Sequence, residues 1–216
     1  MAEELRNSVI IVGCGPGLKS YITPKALYNI KKADILVGSR RLLKLFPDTG
    51  AKRIIIEKNY KLLLKKIAHW SFTMQVVVLA SGDPCFFSYT KMIVKKFGRA
   101  SCIIIPGLSS IQLAFAAIGE SWEDAAFVSV HGRSSGYKDL IKKVKDYDKV
   151  AVLTDKVNTP ARIACKLMDA GIVKRRMFIC ENLSLFNETI HEKTIQSAMN
   201  LTANGSSVVI IKKTGS

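Results

Sequence analysis

The sequence predicts an α/β protein of two α/β domains with mostly parallel sheets, and three observations carry that expectation. Short β-branched runs alternate with segments of helical spacing along the whole chain. The strand-like runs are apolar throughout, as strands covered on both faces are, instead of alternating with polar residues. A hydrophilic stretch, Gly119-Glu120-Ser121-Trp122-Glu123-Asp124, interrupts the series near its middle.

The first series of strands is read at residues 9–12, 34–37, 53–56, 76–80 and 102–105. Residues 24–32 suit a helix, with Thr23 as its cap and Pro24 in its first turn. Residues 109–118 suit another, since Ile111, Ala114, Phe115 and Ile118 fall on one face. The second series is read at 127–131, 150–154, 177–180 and 208–211, with a helix over 160–168. The boundary is expected at Trp122, giving domains of residues 1–122 and 123–216. No repeat or low-complexity segment stands out.

At 216 residues and 48% hydrophobic, the chain has ample material for a core and fits one large domain or two compact ones of about 100 residues each. No apolar run approaches the roughly 18 residues of a membrane span. The opening Met-Ala-Glu-Glu-Leu-Arg-Asn is acidic and unlike a secretory signal, so a cytoplasmic protein is expected. The net charge of +16 draws anionic partners. Residues 1–122 hold 18 basic and 7 acidic side chains, and the remainder holds 15 and 10. Nucleic acid, a membrane surface and a polycarboxylate substrate all fit that sign. Lys61, Lys65 and Lys66, or Lys142, Lys143 and Lys145, are also the lysines of an ordinary solvated helix face.

Two loops concentrate the functional signal. Val12-Gly13-Cys14-Gly15-Pro16-Gly17 follows the first strand, and Ser81-Gly82-Asp83-Pro84 follows the fourth. Strand ends of open α/β sheets are where small ligands sit, and glycine lets backbone approach a ligand closely. A Rossmann dinucleotide site is disfavoured, because Leu18 replaces the third glycine and the second strand ends in Gly38-Ser39-Arg40 without an acid. No glycine-rich stretch ends in Gly-Lys-Ser or Gly-Lys-Thr, which excludes a Walker loop.

The five cysteines, Cys14, Cys85, Cys102, Cys165 and Cys180, are scattered and include no Cys-x-x-Cys pair. Neither a disulfide framework nor a protein-held metal is expected, and the cysteines read as packing residues.

Gly13-x-Gly15-Pro16-Gly17, Ser81-Gly82-Asp83-Pro84-x-Phe86 and Pro106-Gly107-Leu108-Ser109-Ser110-Ile111-Gln112 recur in this order in the tetrapyrrole methylases, which the chain resembles. Further segments resemble the C-5-methylating, cobalt-precorrin branch of that family. They are Val37-Gly38-Ser39-Arg40-Arg41-Leu42-Leu43, Gln112-Leu113-Ala114-Phe115-Ala116, Ser129-Val130-His131-Gly132-Arg133, Leu153-Thr154-Asp155 with Asn158-Thr159-Pro160, and Glu181-Asn182-Leu183 with Asn187-Glu188. The chain departs from many family members in having Leu18-Lys19-Ser20, not an acid, after Gly-Pro-Gly.

The resemblance implies two α/β domains with an S-adenosylmethionine cleft between them. It also implies C-methylation of cobalt-precorrin-6B at C-5 in cobalamin biosynthesis. As cofactor contacts it implies Pro16, Gly82, Asp83, Phe86, Ser109 and Ser110, together with Thr154 and Leu183 from the second domain. Asp83 is read as a ligand contact in preference to a helix cap beside Pro84, while Phe86 equally suits a core position and Ser109 a helix N-cap. Arg40, Arg41, His131 and Arg133 are the candidates for the anionic tetrapyrrole's carboxylates, with surface ion pairs or strand-end packing as the alternative.

No general base is nominated. Cobalt would arrive inside the substrate, the C-15 methylating and decarboxylating step would belong to a separate enzyme, and the family's usual state implies a homodimer. A relative acting on RNA or protein, a non-catalytic nucleic-acid-binding module and a cofactor-binding protein without a substrate are the rival readings. Dispersed aromatics and the lack of any nucleic-acid motif weigh against the module.

Overall fold

The computed structural model describes residues 7–57, 59–132, 136–202 and 207–214. The chain divides into two compact units, Met1–Ser109 and Ser110–Ser216.

In the first unit the chain runs β1 (Val9–Gly13), α1 (Pro24–Lys31), β2 (Ile35–Gly38), α2 (Arg40–Leu43) and β3 (Lys52–Ile55). It continues through α3 (Tyr60–Trp70), β4 (Val76–Ala80), α4 (Thr90–Phe97) and β5 (Cys102–Ile105). The five strands form one sheet in the order β3-β2-β4-β1-β5, and every pairing is parallel. All residues of β1, β2 and β4 are buried, which accounts for their unbroken apolar sequences. Successive side chains point to opposite faces. Ile10, Val12, Leu36, Val77 and Leu79 therefore meet Ala26, Ile30, Leu42 and Leu43 of α1 and α2. Val9, Ile11, Ile35, Val37, Val76 and Val78 meet Ile67, Ile93 and Phe97 of α3 and α4. The edge strand β3 carries exposed Lys52 and Arg53, charges that discourage pairing with a further strand. Helix α1 starts as the sequence predicts: Pro24 occupies its first turn and the Ala26 amide donates to Thr23 Oγ1 at 3.2 Å.

The second unit comprises α5 (Ser110–Ile118), β6 (Ala125–Ser129), α6 (Gly136–Asp146), β7 (Lys149–Leu153) and α7 (Pro160–Asp169). It ends with β8 (Arg175–Glu181), β9 (Thr189–Thr194), α8 (Ile195–Ala198) and β10 (Ser207–Lys213). Its sheet has the order β6-β7-β10-β8-β9. Only β6 and β7 pair in parallel; β10 is antiparallel to both β7 and β8, and β8 is antiparallel to β9. The expectation of parallel sheets is met completely in the first unit and only by one pairing in the second. The difference lies in the connections. The short link from β8 to β9 permits a hairpin, whereas a parallel neighbour would need a long crossover. Strand β9, absent from the sequence reading, is an edge strand whose residues are exposed or half-buried, so its sequence shows no apolar run.

One face of this sheet packs Val128, Val150, Val152, Met177, Ile179, Val209 and Ile211 against α6, α7 and α8 through Leu140, Val144, Ile163, Leu167, Ile195 and Ala198. Helix α5 contacts β10 and so belongs to the second unit, which places the division before α5 and not after Trp122. The hydrophilic stretch taken for a boundary is pinned to this sheet. Lys149 Nζ lies 2.7 Å from Asp124 and 3.9 Å from Glu120 and donates to the Ser121 carbonyl at 2.9 Å; Lys212 pairs with Glu120. Among the described residues, no helix is long and apolar enough to cross a membrane.

The buried side chain of Arg175 closes the C-terminal end of α6. It donates to the carbonyl of Val144, in the last turn, where carbonyls lack intrahelical partners, and to those of Tyr147 at 2.9 Å and Asp148 at 3.2 Å, the last of which also accepts from the Lys213 amide at 2.9 Å. Replacing it (Arg175→Leu) removes the donor to the Val144 and Tyr147 carbonyls, while Asp148 keeps the Lys213 amide. Urea unfolding of the variant is expected to show a loss of about 2–3 kcal/mol, with α6 gaining hydrogen exchange first.

Candidate functional site

The C-terminal ends of β4, β1 and β5 are neighbours in the first sheet, and the chain leaves them through the two glycine loops and the Pro106-Gly107 turn. The three backbones converge there. A Cβ on Gly13 would stand 2.6 Å from both the Gly107 nitrogen and the Gly82 oxygen, and one on Gly107 would meet the same Gly82 oxygen at 2.6 Å. The Gly82 amide donates to the Gly15 carbonyl at 2.9 Å, and the Cys14 amide to the Ala80 carbonyl at 2.8 Å. Gly82 itself has φ +65°, a left-handed conformation that glycine adopts without strain.

Asp83 fastens the junction. Its Oδ1 accepts from the Cys85 amide at 2.7 Å and its Oδ2 from the Gly107 amide at 3.1 Å, so one carboxylate ties the β4 loop to the β5 loop. No helix starts at Pro84, so Asp83 braces a turn and is not a helix cap, and each of its oxygens retains a second acceptor position. Half-buried Pro16 follows Gly15, and buried Ser109 lies beside Gly82, 3.6 Å from a Cβ built there. Phe86 is half-buried and meets Phe87 edge-to-face at 4.7 Å. The exposed Phe87 has φ +49°, an uncommon conformation for a bulky residue. Pro16, Gly82, Asp83, Phe86 and Ser109 thus gather at one edge of the first sheet, while Ser110 opens α5 in the second unit.

Arg40 and Arg41 are both exposed on α2, whose cap is Ser39, accepting from the Leu42 amide at 3.3 Å. Arg41 reaches across the edge: its Nη2 donates to Ser81 Oγ at 2.7 Å. Sequence reasoning missed this pair, because no periodicity links side chains 40 positions apart. Cys14 is fully buried, and desolvation pushes its thiol up to about 12 against the opposing charge of Arg41, the behaviour of a packing cysteine.

The second unit presents its own set of strand ends. Thr154, after β7, is buried and its hydroxyl donates to the Ser207 carbonyl at 2.6 Å. His131, after β6, is exposed, and its Nδ1 lies 3.0 Å from the Thr154 carbonyl. A carbonyl only accepts, so this contact requires a proton on Nδ1. Arg133 lies outside the described residues. Leu183, after β8, is buried between Asn182 and Ser184, whose φ values are +52° and +72°. Such left-handed non-glycine backbone costs about 1–3 kcal/mol per residue and clusters at ligand clamps.

The organiser of this edge is Asp155, quoted in the sequence motif without a role. Its oxygens accept from the amides of Gly132 at 2.6 Å, Asn158 at 2.6 Å and Val157 at 2.8 Å, and also from the Asn158 side chain. Asn158 is buried and donates in turn to the Val130 carbonyl at 2.8 Å, while the Tyr137 hydroxyl donates to its Oδ1 at 3.2 Å. Among the described residues, no three His, Cys, Asp or Glu side chains form a group able to hold a metal ion.

Two predictions follow from this geometry. Gly13→Ala and Gly107→Ala each drive a methyl into backbone that cannot yield, so each is expected to cost at least about 2 kcal/mol. Gly50→Ala, where a Cβ meets nothing within 4 Å, should change stability by less than about 1 kcal/mol in the same denaturation series. The second concerns Asp155. Desolvation raises its pKa, but the amides of Asn158 and Gly132, the Asn158 side chain and the Val157 amide outweigh it and hold the carboxyl well below the usual range. A carboxyl with a depressed folded-state pKa contributes stability above its unfolded pKa of about 3.9 and loses it as pH falls towards the folded value. Asp155→Asn should therefore lower Tm at pH 7 and flatten the fall in Tm between about pH 5 and pH 3.

The chain is similar to known proteins in sequence and in fold. The family model for tetrapyrrole (corrin/porphyrin) methylases matches residues 8–198. The chain is 37% identical over 201 residues to the cobalt-precorrin-7 C(5)-methyltransferase of Salmonella typhimurium, covering 93% of this chain and 97% of that one. It is 34% identical over 196 residues to the probable cobalt-precorrin-7 C(5)-methyltransferase of Methanocaldococcus jannaschii, covering 89% and 92%. A longer relative, the decarboxylating precorrin-6Y C(5,15)-methyltransferase of Sinorhizobium sp, is 28% identical over 183 residues, 83% of this chain and 43% of that protein. In fold, this chain resembles the crystal structure of uroporphyrin-III C-methyltransferase from Thermus thermophilus complexed with S-adenyl homocysteine. The TM-score is 0.79 at 21% identity, over 95% of this chain and 97% of that one. The chain belongs to the tetrapyrrole (corrin/porphyrin) methylase family.

Proposed function

We propose that this protein is an S-adenosylmethionine-dependent C-methyltransferase of cobalamin biosynthesis that methylates C-5 of cobalt-precorrin-6B to give cobalt-precorrin-7. The observation carrying the reading is 37% identity, over 93% of the chain, to a relative bearing the name of that activity. The glycine-lined edge of the first sheet supports it from geometry. Gly82 and the half-exposed Asp83–Phe86 turn offer carbonyls and the remaining acceptor positions of the Asp83 carboxylate to a polar, zwitterionic ligand, with the Phe86 ring as an apolar surface.

S-adenosylmethionine, when bound, supplies a methyl group already activated on a sulfonium and open to in-line displacement by carbon. The residues proposed to hold it are Pro16, Gly82, Asp83, Phe86, Ser109 and Ser110, with Thr154 and Leu183. The Thr154 hydroxyl already donates to Ser207, so its contribution falls to a remaining lone pair or to backbone. With an activated donor and an electron-rich ring carbon as nucleophile, the protein's main task is to position the reactants. Holding the two in attack geometry supplies on the order of 7–11 kcal/mol of barrier reduction, so rigid strand-end loops matter more than a nucleophilic side chain.

The substrate's acetate and propionate groups account for a net charge of +16. Arg40, Arg41, His131 and Arg133 are the proposed contacts, of which Arg41 is the one fixed at the glycine-lined edge. The relatives that match this chain nearly end to end are named for C(5) alone, while the longer C(5,15) relative is matched over 43% of its length. We therefore assign the C-15 methylation and decarboxylation to a separate enzyme. A homodimer in the cytoplasm is the proposed working form.

Anaerobic turnover with methyl-labelled S-adenosylmethionine and cobalt-precorrin-6B tests the reading. One equivalent of label at C-5 by NMR, with S-adenosylhomocysteine released, is the expected result. Cofactor binding without transfer, beside a working control enzyme, would overturn the substrate assignment and turn attention to metal-free precorrin or RNA.

A further inference from the structure

We propose that Arg41, held by Ser81, is the arm with which the first unit grips a carboxylate of the tetrapyrrole, and that Ser81 is its positioning residue. The proposal rests on the functional reading above and goes beyond it by separating Arg41 from Arg40 and giving Ser81 a task.

The argument begins with the order of strands. Arg41 follows β2, Ser81 follows β4 and Cys14 follows β1, and β2, β4 and β1 are consecutive in the sheet. The guanidinium spans this edge: it donates to Ser81 Oγ at 2.7 Å and lies close enough to Cys14 to oppose the rise in that thiol's pKa. It therefore stands over the end of β4, next to the Gly82-Asp83 turn.

The partner's chemistry matters as much as its place. Lys149 and Lys212 are spent on Glu120 and Asp124. Arg41 is exposed and, among the described residues, meets no carboxylate within ion-pair distance. The nearby acid, Asp83, has both oxygens engaged by the amides of Cys85 and Gly107. A neutral hydroxyl fixes one N–H of the guanidinium without neutralising it, leaving four of its five donors and the full charge for an incoming anion. A planar fork fixed at one corner is well suited to bidentate recognition of a carboxylate. Among the described residues Arg40 has no such anchor, and it is exposed on the same short helix.

The test uses full-length protein and reads equilibrium binding of cobalt-precorrin-6B by anaerobic absorbance titration in the presence of S-adenosylhomocysteine. Calorimetric binding of S-adenosylhomocysteine alone and steady-state kinetics accompany it. Arg41→Lys is expected to weaken tetrapyrrole binding at least about tenfold and Ser81→Ala about three- to tenfold. Both should act on KM more than on kcat and leave S-adenosylhomocysteine affinity within about twofold. Ser81→Thr, which keeps the hydroxyl, should restore binding, and Lys44→Ala, which removes an exposed cation at the end of the same helix, should stay within about twofold of wild type.

Wild-type affinity in Arg41→Lys would overturn the assignment of the arm. A loss in Ser81→Ala that falls equally on S-adenosylhomocysteine, or that Ser81→Thr does not rescue, would overturn the positioning role. Absence of tetrapyrrole binding by the wild type would bring down the functional reading itself, a result distinct from either.

Discussion

The close approach of three backbones, at Gly13, Gly82 and Gly107, is the constraint on which the first unit's functional edge depends. Parallel strands that are buried on both faces end together at one side of the sheet, and what leaves them decides whether that side is closed by side chains or left to a ligand. Here the three exits meet through backbone, and no Cβ fits at Gly13 or Gly107. Asp83 then locks the β4 exit to the β5 exit through two amides, and Gly82 pairs with Gly15 across the β1 exit. The result is a backbone-lined edge with its carboxylate already committed to structure and a cation, Arg41, suspended from a neutral hydroxyl beside it.

The second unit reaches the same kind of arrangement by different means. Its sheet is mixed, and its strand-end loops are ordered by a carboxylate–amide network around Asp155 and Asn158 in place of a glycine junction. The two units also use charge differently. In the second, lysines are consumed in pairs with Glu120, Asp124, Asp139, Asp148 and Asp169. In the first, Asp34 and Asp83 accept backbone amides, so its basic side chains are not balanced by those acids. Excess positive charge on the glycine-bearing unit is what a polycarboxylate ligand would draw on.

Most of the first unit was legible in the sequence, because buried parallel strands read as continuous apolar runs: residues 76–80 and 102–105 coincide with β4 and β5. The second unit was harder to read. Strand β9 is an exposed edge with the sequence Thr-Ile-His-Glu-Lys-Thr, which carries neither period nor apolar run. The antiparallel course of β10 depends on which neighbours it finds, a non-local choice that no local pattern encodes. The stretch 119–124 looked like a linker because it is charged, yet its charges are the groups that Lys149 and Lys212 hold. At the site, the glycines and Asp83 were visible as a motif, whereas the Arg41–Ser81 bond and the Asp155 network join positions far apart in sequence or were masked by an ordinary turn composition.

The central claim is that the glycine-lined end of the first sheet holds the methyl donor. A crystal structure of the protein grown with saturating S-adenosylhomocysteine tests it most directly. The account predicts ligand density against the Gly82–Phe86 turn, with backbone of that turn within hydrogen-bond distance of the ligand. Density bound elsewhere on the chain, with that turn facing only solvent, would contradict it.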